Sequence, residues 1–81
     1  MKKIVRFTAS WCGPCKMLAK TLEEVKSELP IEVVDIDTHP EVAAEFGIRG
    51  VPTLVIVEDN VASKRLVGNK TKQEIEAFIN D

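Results

Sequence analysis

Apolar positions in this chain alternate between runs with a period of two and stripes with a period near four, the pattern of strands interleaved with amphipathic helices. Ile4 to Ala9 is a strand-like run that leads directly into Trp11-Cys12-Gly13-Pro14-Cys15. From Gly13 to Leu29 the period is helical. Cys15, Leu18, Leu22, Val25 and Leu29 recur at three- and four-residue steps, and Pro30 stops the helix. Ile31 to Ile36 is β-branched and largely apolar, as expected of a buried strand, with Asp35 at an end or edge. Pro40 suits the first position of a short helix closed by Gly47, which leaves His39 as a loop or cap residue. After Gly50-Val51-Pro52, the runs Thr53 to Val57 and Val61 to Val67 flank the polar turn Glu58-Asp59-Asn60 as a hairpin. Lys64 and Arg65 mark the returning strand as an edge defended by charge. Thr71 and Glu74 form a capping box ahead of a last helix that buries Ile75, Phe78 and Ile79.

The order strand, helix, strand, helix, strand, strand, helix predicts an α/β fold. A strand–helix–strand unit makes its strands parallel, and the hairpin is antiparallel. The economical arrangement is a four-stranded mixed sheet with helices on both faces. Residues 1–81 read as one domain: 44% hydrophobic and 30% charged positions support a single small core, without room for a large cofactor cavity. The net charge of −2 argues against a nucleic-acid partner, which requires a basic stripe. Lys2 and Lys3 precede an apolar run that Arg6 cuts short, so neither an export signal nor a membrane span is expected. A cytoplasmic, reducing location follows, and there a lone Cys pair is more often catalytic than structural.

The two cysteines carry the chemistry. A Cys at the first turn of a helix has its thiolate stabilised by unpaired backbone N–H groups and by the positive end of the helix dipole. Cys15 lies on the core-facing stripe, while Cys12 is one turn earlier, where the stripe runs out into solvent. This predicts an exposed attacking thiol at Cys12 and a shielded resolving thiol at Cys15. A purely structural bridge would close so short a loop that it restricts the unfolded chain by only about 2 kcal/mol. A structural zinc site wants four ligands, and two Cys with the single His39 supply no second pair at the usual spacing.

These residues closely resemble the thioredoxin family. Phe7 to Met17 contains its Trp-Cys-Gly-Pro-Cys-Lys signature, and Phe46 to Leu54 is similar to its Gly-Ile-Arg-Gly-Val-Pro-Thr loop. Val67-Gly68 sits where the family has Val-Gly beside the substrate groove. The resemblance implies the thioredoxin fold and a cytosolic, monomeric enzyme that reduces disulfide-bearing proteins. Its redox centre would be the Cys12–Cys15 disulfide, with no other cofactor and no metal. It also implies a reducing partner: an NADPH-linked thioredoxin reductase, glutathione or a ferredoxin-linked reductase. Trp11, Gly13, Pro14 and Lys16 would form the active-site loop. Val51, Pro52, Thr53 and Gly68 would form the substrate surface, with the Val51 backbone pairing against an extended substrate. Pro52 is expected to be cis and to face the sulfurs by resemblance alone, because most X–Pro bonds are trans.

Some positions depart from the family. The chain lacks its N-terminal strand and helix. Arg6 stands where a buried Asp usually lies beneath the second cysteine, and Val33 where a buried Lys is common. Arg6 must therefore reach solvent or find a carboxylate. Water, the leaving thiolate or another carboxylate is left to take the proton of Cys15. A glutaredoxin-like, glutathione-dependent reductase is the nearest rival, although Gly13-Pro14 replaces its usual Pro-Tyr. A docking module with incidental cysteines is the alternative from another class.

Overall fold

A computed structural model describes residues 1–81. Its elements are β1 (Lys2–Thr8), α1 (Gly13–Glu24), β2 (Ile31–Asp35), α2 (Pro40–Glu45), β3 (Thr53–Glu58), β4 (Val61–Val67) and α3 (Lys72–Asn80). They form one four-stranded sheet in the order β2-β1-β3-β4, with β1 parallel to β2 and both other pairings antiparallel. The expected mixed sheet is present.

Strand alternation builds two cores. Ile4, Leu54 and Ile56 pack against Leu18 and Leu22 of α1 and Ile75 and Ile79 of α3. On the opposite face Val5, Phe7, Val34, Val55 and Val57 pack with Ala43 of α2. Each fully buried aliphatic side chain contributes about 1.5–3 kcal/mol relative to exposure, so both faces of the central strands hold the helices in place. Truncating Leu18, which joins α1 to the sheet, would cost about 2–5 kcal/mol and release the helix that carries the cysteines.

Local chemistry sets the ends. The hairpin turns at Asp59 and Asn60, both with positive φ, the left-handed backbone of a two-residue hairpin loop. Gly47, at φ +66°, closes α2 with its N–H on the Ala44 carbonyl. Thr71 Oγ1 accepts from Glu74 N at 3.1 Å and Glu74 Oε1 accepts from Thr71 N at 3.0 Å, completing the expected capping box.

Two expectations are corrected. α1 ends at Glu24 rather than Leu29, because Val25 is extended and the Ser27 hydroxyl accepts from Leu29 N at 3.1 Å. That local bond competes with the helical one. Val25 and Leu29 still pack on the core, but from a loop. β2 is an edge strand rather than a buried one: Ile31 and Val33 are 43% and 53% exposed, and only Val34 is buried. Its neighbour on one side is β1 and on the other is solvent.

Candidate active site

β1 delivers the chain into the turn before α1, and Cys12 N closes that turn on the Ala9 carbonyl at 3.1 Å. Cys12 is the N-cap of α1, with extended backbone (φ −90°, ψ 105°), and Pro14 occupies the first turn where a missing N–H costs nothing. A side chain at the N-cap lies across the unpaired N–H groups of the first turn. Cys12 Sγ accepts from Cys15 N at 3.1 Å in this way. The positive end of the helix is therefore aimed at the Cys12 sulfur.

Cys12 and Cys15 are joined by a disulfide, with their Cα atoms 5.2 Å apart. Both are buried, Cys12 at 4% exposure and Cys15 at 1%, in a small apolar cluster with Ala9, against which Ile36 and Val51 pack. The expected contrast between an open and a shielded sulfur is thus corrected to a residual difference. The cause is geometric. Cys12 is off the helical stripe as a cap, and Ile36 and Val51 pack against the cluster that holds both bridged cysteines.

The second expected motif meets the first. The Val51–Pro52 peptide is cis, and Val51 packs on the cysteine cluster while Pro52 is fully buried. Gly68, at φ +95°, donates its N–H to the Pro52 carbonyl at 2.9 Å and so ties the end of β4 to this loop. Thr53 is buried, and its hydroxyl donates to the Gly50 carbonyl at 2.8 Å. Its side chain braces the loop from inside rather than facing outward. Gly13, Pro14 and Lys16 are exposed around the disulfide, and Trp11 is 68% exposed beside it.

Asp37 was not among the expected site residues. Its Oδ2 accepts from Trp11 Nε1 at 2.8 Å and holds the indole over the loop. Only the parallel pairing of β1 with β2 brings these residues together, so no local pattern marks Asp37. Arg6 finds no carboxylate and is only partly open to solvent. It is half-buried on the α1 face, and burial lowers its pKa. An open surface hollow of about 770 Å³ lies by Lys2, the loop after α1 and Ile79-Asn80. It borders the start of β1, the end remote from the cysteines.

A Cys pair bridged at the tip of a helix and packed under a second loop is placed to exchange its bridge with other sulfurs. The fold and this site define a thiol–disulfide oxidoreductase. The thioredoxin family profile matches residues 1–81. Thioredoxin of Mycobacterium tuberculosis is 42% identical, over 96% of this chain and 71% of that protein. Thioredoxin of Listeria monocytogenes is 40% identical over 91% of this chain and 76% of its own length. The bifunctional thioredoxin reductase/thioredoxin of Mycobacterium leprae is 42% identical over 96% of this chain, which spans 18% of that protein. Among solved structures, a mutant thioredoxin from Halobacterium salinarum superposes with a TM-score of 0.89 at 31% identity, covering 96% of this chain and 71% of that one. The chain belongs to the thioredoxin family.

Proposed function

We propose that this protein is one thioredoxin domain, residues 1–81, which reduces disulfides in other proteins. Cys12 is the nucleophile and Cys15 the resolving thiol. The observation that carries these roles is Cys12 Sγ at the N-cap of α1, accepting from Cys15 N. After reduction the same N–H groups and helix dipole stabilise a thiolate there.

The Cys12 thiolate attacks one sulfur of a substrate disulfide. A mixed disulfide forms, the substrate S–S bond breaks, and the departing thiolate takes up a proton. Cys15 then loses its proton and attacks Cys12 Sγ. This re-forms the Cys12–Cys15 bridge and releases the second substrate thiol, so two electrons and two protons have passed to the substrate. Ile36 and Val51 pack on the cluster that holds the pair, and the leaving thiolate or water takes the Cys15 proton. Val51 offers backbone to an extended substrate beside the sulfurs, Pro52 and Gly68 fix the position of that loop, and Thr53 supports it from within. Gly13 leaves room for close approach, Pro14 limits loop freedom, Lys16 adds positive charge and Trp11 borders the entry.

A thioredoxin reductase or equivalent donor returns the dithiol. The bifunctional thioredoxin reductase/thioredoxin of Mycobacterium leprae supports a reductase protein as donor over glutathione. We assign the protein to electron transfer and thiol homeostasis in the cytoplasm, as a monomer that needs no metal or added cofactor. No helix is long and apolar enough to cross a membrane. Neither the glutaredoxin-like reading nor the docking-module reading is favoured.

The roles are tested by trapping. Cys15→Ser should accumulate mixed disulfides with an oxidised protein substrate, seen as larger species on non-reducing gels. Cys12→Ser should form none and should lose insulin reduction. Trapping by Cys12→Ser instead would reverse the assignment.

A further inference from the structure

The two edges of the sheet are finished differently. On β4, Arg65 Nη2 donates to the Phe46 carbonyl at 2.7 Å, while Lys64 Nζ donates to the Asp81 carbonyl at 3.0 Å and lies over the Phe78 ring. Those cations fold back onto the C-terminal ends of α2 and α3. On β2 the one ion pair is that of Glu32, which accepts from Lys3 Nζ at 3.2 Å on the α2 face, and the α1 face of the strand has none. Ile4 N bonds Pro30 O and Ile36 N bonds Thr8 O, both at 2.9 Å. By parallel-ladder alternation Glu32 and Val34 turn their backbone groups toward β1, whereas Ile31 and Val33 turn theirs outward. The same two residues present exposed apolar side chains on the α1 face.

Beside them is a shallow hollow of about 260 Å³ lined by Arg6, Ala19, Leu22, Glu23, Ile31 and Val33. Arg6 has neither an ion pair nor a hydrogen-bond partner there. Glu23 borders the hollow from α1 but is exposed and beyond ion-pair distance. A half-buried guanidinium with no partner, next to outward-facing strand backbone, is a receptor for a carboxylate.

We propose that the β2 edge is a docking site for an extended segment of a partner protein. The segment adds as a fifth strand, sets an apolar side chain over Ile31, and presents a carboxylate two residues away, opposite Val33, to Arg6. Arg6 is the register neighbour of Val33. Neighbouring strands lie about 4.8 Å apart, so the partner Cα opposite Val33 falls about 10 Å from that of Arg6, a span that facing Arg and Glu side chains close. A second copy does not suit. Pairing β2 with β2 about Val33 would place two Arg6 Cα atoms about 14 Å apart with both guanidinium groups converging. A lysine at the same partner position would meet Arg6 as a like charge. This surface lies on the opposite sheet edge from Gly68 and acts independently of the disulfide.

The test uses the oxidised, ¹⁵N-labelled full chain and two synthetic peptides of about ten residues, alternating Val and Thr, with one central Glu or Lys. The Glu peptide should shift the Ile31 and Val33 amides and slow their hydrogen exchange. It should bind about two- to fivefold more tightly than the Lys peptide, the worth of one partly exposed ion pair. Arg6→Gln should erase that preference, and Val33→Lys should abolish binding while insulin reduction is retained. Shifts confined to the Trp11 and Val51 region or to β4 would overturn the proposal. So would an unchanged preference in Arg6→Gln, which remains decisive if Val33→Lys does not fold. A peptide-free dimer through β2 in sedimentation would also overturn it, in favour of self-association.

Discussion

Replacing Thr53 with Val removes one hydroxyl from the loop that faces the disulfide and leaves the side-chain shape unchanged. Thr53 is 2% exposed, and its hydroxyl donates to the Gly50 carbonyl at 2.8 Å. A bond of this kind contributes about 0.5–1.5 kcal/mol net, and an acceptor stranded in the interior would add about 1–3 kcal/mol. The second contribution does not apply, because Gly50 is exposed and its carbonyl can take water instead. The added methyl group enters a packed site, so its apolar gain is limited by crowding. The expected loss is therefore about 1 kcal/mol, a fall in Tm of about 4–8 °C for a domain of this size. Urea unfolding should show a lower midpoint with an unchanged slope. Because the bond spans Gly50 to Thr53 and encloses Val51 and Pro52, the same variant should reduce insulin more slowly, chiefly through a raised KM. Thr53→Ser keeps the hydroxyl and should keep the KM. If Thr53→Val matches the parent in both stability and KM, the loop does not depend on this bond. If Thr53→Ser falls as far as Thr53→Val, the methyl group that serine lacks contributes as well as the hydroxyl that valine lacks.

Other expectations follow from single contacts. Asp37→Ala should leave stability within about 0.5 kcal/mol, since Trp11 and Asp37 are both exposed, yet it should increase quenching of Trp11 fluorescence by iodide. Asp37→Asn, which still offers an oxygen, should not. Thr71→Ala should cost about 1 kcal/mol in denaturant unfolding through loss of the α3 cap. It should also change the acid limb of the stability curve. The Thr71 backbone N–H, and then its hydroxyl, hold the Glu74 carboxyl below its ordinary range. A group with its folded pKa depressed adds stability above the unfolded value near 4.3 and loses it as pH falls through the lower folded value. The difference between parent and Thr71→Ala should therefore shrink across that acidic window. A constant difference would mean that the Thr71 backbone N–H, which alanine keeps, carries the depression without the hydroxyl.

The elements with a strong local code were legible in the sequence. The Asp59-Asn60 turn, the Thr71–Glu74 box and the Pro40 start of α2 depend on neighbours within a few residues, and each stands where its residues put it. What failed depends on distant partners. The Val25 and Leu29 positions keep a helical apolar period and still pack on the core, but the Ser27 bond turns that segment into a loop. Ile31 to Asp35 has the composition of a central strand. Only the order of the sheet makes it an edge, and strand order is not encoded in a five-residue run. The same applies at the site. Cys12, Cys15 and the helix between them were readable, as was the second loop through its family likeness. The Trp11–Asp37 bond crosses from the end of β1 to the end of β2 and has no local signature. The near-equal burial of the two cysteines follows from the bridge between them, whereas a helical stripe describes only the backbone.

The proposed chemistry requires that the tip of α1 ionise Cys12 ahead of Cys15. The pH dependence of iodoacetamide alkylation of the reduced protein, with each modified cysteine assigned by peptide mass, reads this order at the sulfurs themselves. Cys12 should be modified first at every pH, with its half-maximal rate below the ordinary thiol value near 8.5. Equal rates at both positions, or earlier modification of Cys15, would contradict it.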